Sequence, residues 1–168
     1  MEFTGTQTIA APRPAVWEAL NDPAVLKLCV PGCESFTARS ADEFEAVVQA
    51  AVGPVKARFK GVLALSERRA DEGYRIAGRG EGGVAGFGKM HAVVSLIDAP
   101  DGGTVLAYEA TAEVGGKLAQ VGSRLVASVA NRMADDFFKR FSAQLAPPAD
   151  GDVGAAEPGA PKKWWQRG

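Results

Sequence analysis

His91 is the only imidazole in the chain, which excludes a zinc site built on two or three histidines of one chain. A nucleophilic relay would have to run through His91 alone. It shares the polar face of its strand with Lys89 and Ser95, so it is expected at the surface. Cys29-Val30-Pro31-Gly32-Cys33 is a C-x-x-x-C pair. It lacks the C-x-x-C spacing of redox loops, and no second pair exists to complete a zinc site. Two thiols at a helix end are expected instead. Gly78-Arg79-Gly80-Glu81-Gly82-Gly83 matches G-x-G-x-x-G, and Gly83 to Lys89 matches G-x-x-x-x-G-K. Both motifs need a helix directly after the loop, because its N-terminus holds the phosphates. Here Phe87 to Ile97 alternates as a strand, and Met90 replaces the Ser or Thr that would hold magnesium. Both motifs are therefore set aside, and the glycines are taken to mark bends in a sheet. The acid pairs Asp71-Glu72 and Asp135-Asp136 fall in a turn and on a polar helix face, not in the dry surroundings that tune a general acid. Tyr108 is expected to be the only obvious ionisable group inside. No catalytic residue and no metal ligand is assigned.

The elements that would position these residues read as strand, short helices, strands and one long helix. Phe3 to Ile9 is a Thr-rich strand. Pro14 suits the first turn of a helix running to about Leu20. Ala24 to Cys29 adds a further turn, stopped by Pro31-Gly32. Alternating patterns follow. Phe44, Ala46, Val48, Ala50 and Val52 share one strand face; Val55, Ala57, Phe59, Gly61, Leu63 and Leu65 share another, with Lys56, Arg58 and Lys60 opposite. Tyr74 and Ile76 face one way, as do Met90, Ala92, Val94 and Leu96, and then Leu106, Tyr108, Ala110, Ala112 and Val114. Short turns between these strands predict an antiparallel meander with one wet face. Leu118, Val121, Leu125, Val129, Met133, Phe137, Phe141 and Leu145 then recur every three or four residues. That stripe predicts one helix of about 28 residues, some 42 Å long. The predicted class is α+β with a helix-grip fold: a curved antiparallel sheet around a long C-terminal helix.

Many inward positions are small, among them Ala46, Gly61, Gly78, Gly80, Ala92, Ala110, Ala112, Gly122, Ala130 and Ala134. Small residues let a helix lie close to a sheet. They also leave room for an apolar ligand. Both readings stay open.

Lys plus Arg is 19 against 20 for Asp plus Glu among 168 residues, so there is no basic face to take a nucleic acid. Hydrophobic residues at 46% and charged residues at 23% suit a globular chain. The N-terminus has no basic and apolar leader, and no apolar run approaches the ~20 residues of a membrane span. A cytoplasmic protein is expected. Residues 1–145 are expected to form the domain. Residues 146–168, rich in Pro and Gly, are expected to form a disordered linker with a basic-aromatic tip. In that tip, Lys162, Lys163, Trp164, Trp165 and Arg167 suit weak contact with a membrane surface or a protein partner.

Pro31-Gly32-Cys33-Glu34, the run Gly82 to Lys89, and above all Val114-Gly115-Gly116-Lys117-Leu118-Ala119-Gln120-Val121-Gly122-Ser123-Arg124-Leu125 resemble the CoxG family, named for a carbon monoxide dehydrogenase subunit, of the START-like (SRPBCC) superfamily. Met133 to Phe141 also resembles that family's helix. The resemblance implies a sheet curled around the last helix and an internal apolar cavity. It also implies a non-catalytic accessory protein that carries a quinone or lipid, with no covalent cofactor. Its partners would be a molybdenum hydroxylase of the carbon monoxide dehydrogenase type and, transiently, the inner face of the cell membrane. Many family members carry a hydrophobic C-terminal anchor, and this chain has the Pro/Gly linker and Trp-Lys tip instead. An isoprenoid chain would lie along Leu118, Val121, Gly122, Leu125 and Val129, against Val48, Phe59, Leu63, Met90 and Tyr108. The alternatives are an enzyme of the same fold acting on a hydrophobic substrate, and a maturation or adaptor protein for a molybdenum hydroxylase.

Overall fold

The structure, a computed structural model, describes residues 1–145. Seven strands form one antiparallel sheet: β1 (Glu2–Ile9), β2 (Cys33–Ser40), β3 (Glu43–Val52), β4 (Val55–Arg69), β5 (Gly73–Glu81), β6 (Phe87–Asp98) and β7 (Thr104–Gly115). Their order is β1-β7-β6-β5-β4-β3-β2, so β3 to β7 form the expected meander, β2 extends it at one edge and β1 pairs back onto β7 at the other. Helices α1 (Arg13–Leu20) and α2 (Pro23–Cys29) lie between β1 and β2. The Asp22 side chain caps α2 by accepting from the Ala24 amide at 2.9 Å. The Thr104 hydroxyl, fully buried, donates to the Ala11 carbonyl at 2.7 Å and ties the start of β7 to the entry of α1.

The sheet must curve. The last helix, α4 (Ser123–Leu145), touches both β1, at one edge, and β3, next to the other edge. Five strand spacings of about 4.8 Å separate those two strands in a flat sheet, about twice the 10–12 Å breadth of a helix. This is the helix-grip arrangement that the alternation and the long apolar stripe predicted.

Two expectations need correcting. The predicted helix of about 28 residues is interrupted. A short α3 (Lys117–Gln120) precedes α4, and Gly122 between them has φ +98°, left-handed backbone that glycine adopts freely. The stripe reads through this break because its apolar spacing survives the turn. α4 itself has 23 residues, about 34 Å. Strand β2 was not predicted. It is the edge strand beyond β3, and only Phe36 among its eight residues is buried, so it carries no alternation to detect.

The core divides in two. The larger part gathers Ile9, Val16, Cys29, Leu106, Phe141 and Leu145, all essentially inaccessible, where α1, α2 and the end of α4 meet the sheet. A smaller cluster of Val52, Leu118 and Val126 closes the other end.

Candidate functional site

Between the two core clusters one row of the concave face of the sheet is built of small residues. Strand register places Ala46, Gly61, Gly80 and Gly88 in one transverse row across β3, β4, β5 and β6. The next row runs Phe44, Leu63, Gly78, Met90 and Ala112. Above them α4 presents Ala130 and Ala134. Side chains too short to meet across this gap leave a chamber of two lobes, about 400 and 450 Å³, that share Phe36, Leu63, Met90, Ala112 and Ala130. Each lobe falls within the range of small-molecule pockets, about 300–1,000 Å³.

The walls are hydrocarbon. In the lobe against α1 and α2, the polar side chains of the lining are Tyr74, Tyr108 and Asn131, and none is charged. Arg79, Lys89 and Glu113 border the second lobe, but they occupy the alternate, exposed positions of their strands. Tyr108 stacks on Phe138 with ring centroids 5.7 Å apart. Phe138 in turn meets Phe137 edge-on at 5.1 Å, so aromatic rings floor the lobe along α4. Asn131 is exposed on α4 and lines the lobe, which puts a polar residue where chamber and solvent meet.

Five of the residues expected to line a cavity do so: Val48, Phe59, Leu63, Met90 and Tyr108. The other five do not. Leu118 is buried in the smaller core cluster, and Val121 and Val129 pack against it. Leu125 is 37% exposed beside the Gly53 turn. Gly122 has open space around it and forms the break before α4. The helical stripe was therefore assigned to the ligand at its N-terminal end, whereas the chamber lies under Ala130, Ala134, Phe137 and Phe138. The small-residue pattern pointed to Ala130 and Ala134; the apolar stripe pointed away from them.

Tyr108 is not the only ionisable group inside. Tyr74 is more deeply buried, 5% exposed, and lines the same lobe. Its place on the face with Ile76 was legible. Its depth was not, because Trp17 of α1 covers it edge-on at 5.5 Å from a distant part of the sequence. Burial raises the Tyr74 pKa well above the usual phenol range.

His91 is exposed on the outer face of the sheet, in a depression of about 410 Å³ that it shares with Glu2, Arg75 and Glu109. The segment after the glycine motifs is a single 3-10 turn, Gly83–Ala85, followed by β6, so neither motif opens a helix. Among the described residues no group of three or more His, Cys, Asp and Glu is placed to hold a metal. Lys162, Lys163, Trp164, Trp165 and Arg167 lie outside the described residues.

The two thiols differ in burial. Cys29 is fully buried, and burial pushes its pKa up to about 11. Cys33 is half-buried and donates to the Ser35 carbonyl at 3.2 Å. Iodoacetamide at pH 8 should label the native protein on Cys33 alone, with Cys29 reacting only after denaturation; peptide mapping checks this. The raised Cys29 value also fixes a sign. Between the ordinary 9.0 and about 11, the folded thiol keeps a proton that the unfolded one releases. Its contribution to stability is therefore complete below pH 9 and is lost as pH rises through 11.

A curved antiparallel sheet, a long helix gripped in it and an apolar chamber between them define the helix-grip, START-like class. The same fold appears in a START superfamily protein from Mycobacterium smegmatis, at 13% identity and TM-score 0.67, covering 86% of this chain and 96% of that one. It also appears in a protein from Thermus thermophilus, at 18% identity and TM-score 0.63, covering 85% of this chain and 95% of that one. A conserved protein from Geobacillus kaustophilus is more similar, at 30% identity and TM-score 0.81, covering 86% and 95%. No curated protein matches the sequence. The model of the CoxG family, named for a carbon monoxide dehydrogenase subunit, matches residues 5–146, and the chain belongs to that family. Family and fold together point to an accessory protein that binds a hydrophobic ligand.

Proposed function

We propose that this protein is a non-catalytic carrier of a quinone or lipid that works beside a molybdenum hydroxylase of the carbon monoxide dehydrogenase type. The apolar chamber is the observation that carries the proposal. Hydrocarbon walls favour an apolar ligand through the area they remove from water, about 25 cal/mol per Å². An enzyme of this fold would need an acid or base facing its substrate, and beyond the phenols of Tyr74 and Tyr108 the lobe offers no carboxylate or imidazole. That lining supports a carrier over a catalyst. The family's description, a carbon monoxide dehydrogenase subunit, supports the partner. Among the described residues no helix is long and apolar enough to cross a membrane. Transient contact with the inner face of the cell membrane is assigned to the basic-aromatic tip, whose lysines and tryptophans suit an anionic interface. The full chain, purified from a host with native lipids, should yield near-stoichiometric quinone or lipid on organic extraction and mass spectrometry. Repeated recovery of neither overturns the proposal.

A further inference from the structure

Tyr74 has a hydroxyl that the described residues leave unused. The residue is 5% exposed and lines the chamber, and among the described residues its hydroxyl takes part in no hydrogen bond. Buried hydroxyls are almost always paired, because an unpaired one has lost water and gained nothing. The nearby Arg68 guanidinium is committed elsewhere, to Asn21 Oδ1, the Ala41 carbonyl and Asp42 Oδ1. The Trp17 indole packs edge-on to the Tyr74 ring at 5.5 Å and holds it in place. We infer that Tyr74 is the polar anchor of the chamber and donates its hydroxyl proton to a neutral acceptor, such as a ketone, quinone or ester oxygen, on an otherwise apolar ligand.

The chemistry of the acceptor follows from the surroundings. A phenol is protonated at neutral pH, and burial raises its pKa further, so Tyr74 is a donor there. No charged side chain lines this lobe. The nearby Arg68 guanidinium is already paired with Asp42, so a carboxylate or phosphate there would be buried without a free counter-charge, which is strongly unfavourable. A neutral oxygen meets no such penalty. Tyr108 does not serve the same purpose. It stands on the same transverse row as Tyr74, with Val94 between them, about 10 Å away by strand spacing. Its hydroxyl lies over Gly5, where an added methyl carbon would sit only 2.7 Å from it, and the residue is only half-buried, within reach of water.

The anchor deepens the carrier function proposed above and stands only if that function does. The full chain is mixed with tridecan-2-one or with tridecane, freed of unbound probe by gel filtration, and the retained probe is quantified by mass spectrometry. The wild type should retain both. Tyr74→Phe should lower ketone capture about five- to twentyfold and leave alkane capture within twofold. Tyr108→Phe should leave the ratio of ketone to alkane unchanged. Unchanged ketone capture in Tyr74→Phe overturns the anchor and leaves a buried water as the hydroxyl's partner. So does an equal fall for both probes, or a ratio that collapses in Tyr108→Phe instead. Failure of the wild type to retain either probe overturns the carrier function and the anchor with it. Ligand-free Tyr74→Phe should melt at or above the wild-type temperature, since the hydroxyl it removes is unpaired. A clear fall in melting temperature shows an internal partner and also overturns the anchor.

Discussion

The double variant Gly80→Val/Gly88→Val is expected to lose ligand capture by about tenfold or more while keeping, or slightly raising, its thermal stability. These two glycines face each other across β5 and β6, in the row that opens the second lobe. A Cβ built on Gly80 meets nothing nearer than the Lys60 carbonyl oxygen at 3.9 Å, and one on Gly88 meets the Glu113 carbonyl oxygen at 3.8 Å. Both are ordinary van der Waals distances, so the side chains enter empty volume rather than a packed wall. Contrast Gly78, where a Cβ would sit 2.8 Å from Leu63 Cδ2. Glycine inside a strand costs about 0.5–1 kcal/mol relative to alanine, and β-branched residues favour strands further. A gain of 1 kcal/mol raises the melting temperature of a domain near this size by about 2–4 °C. Opposite signs for binding and stability separate a filled chamber from general damage. Ligand content by extraction and mass spectrometry, read beside a thermal melt, checks both. Undiminished capture in a folded double variant places the ligand elsewhere.

The parts of the fold that the sequence made legible are those in which each strand has one dry face. β3 to β7 show the alternation because their concave sides meet core or chamber and their convex sides meet water. β2 hides because an edge strand needs only one buried anchor, Phe36. The glycines were correctly taken as features of the sheet, since β6 follows the 3-10 turn where a nucleotide site would demand a helix. What spacing alone could not show is which part of a helical stripe faces a void. That depends on the residues opposite. Val52 fills the space across from Leu118 and Val126, whereas Gly61, Gly80 and Gly88 leave it empty across from Ala130. Tyr74 illustrates the same limit. Its alternation put it inside, but its depth follows from Trp17 of α1 packing over it.

Two positions of that stripe should therefore respond very differently to truncation. Phe141→Ala is expected to destabilise the protein by about 3–5 kcal/mol, as buried phenylalanines do. Phe141 is fully inaccessible, stacks on Phe137 with centroids 5.5 Å apart, and belongs to the cluster that joins α1, α2 and the sheet. Total stabilities of domains run to only about 5–15 kcal/mol, so the loss is a large part of the whole. At about 2–4 °C per kcal/mol it corresponds to a fall of roughly 6–20 °C in melting temperature. Leu125→Ala should cost less than about 1 kcal/mol, because Leu125 is 37% exposed and reaches out over the Gly53 turn. Urea unfolding of the two variants under identical conditions measures the contrast. Equal losses would mean that the stripe from Leu118 to Leu145 is a single continuous core seam, as its spacing alone predicts, with no division between a helix end that holds the fold together and a middle that borders the chamber. A large loss at Phe141 and a small one at Leu125 places the fold's anchor at the α1 and α2 end. The Ala130 and Ala134 segment is then left to border the ligand space without having to hold the domain together.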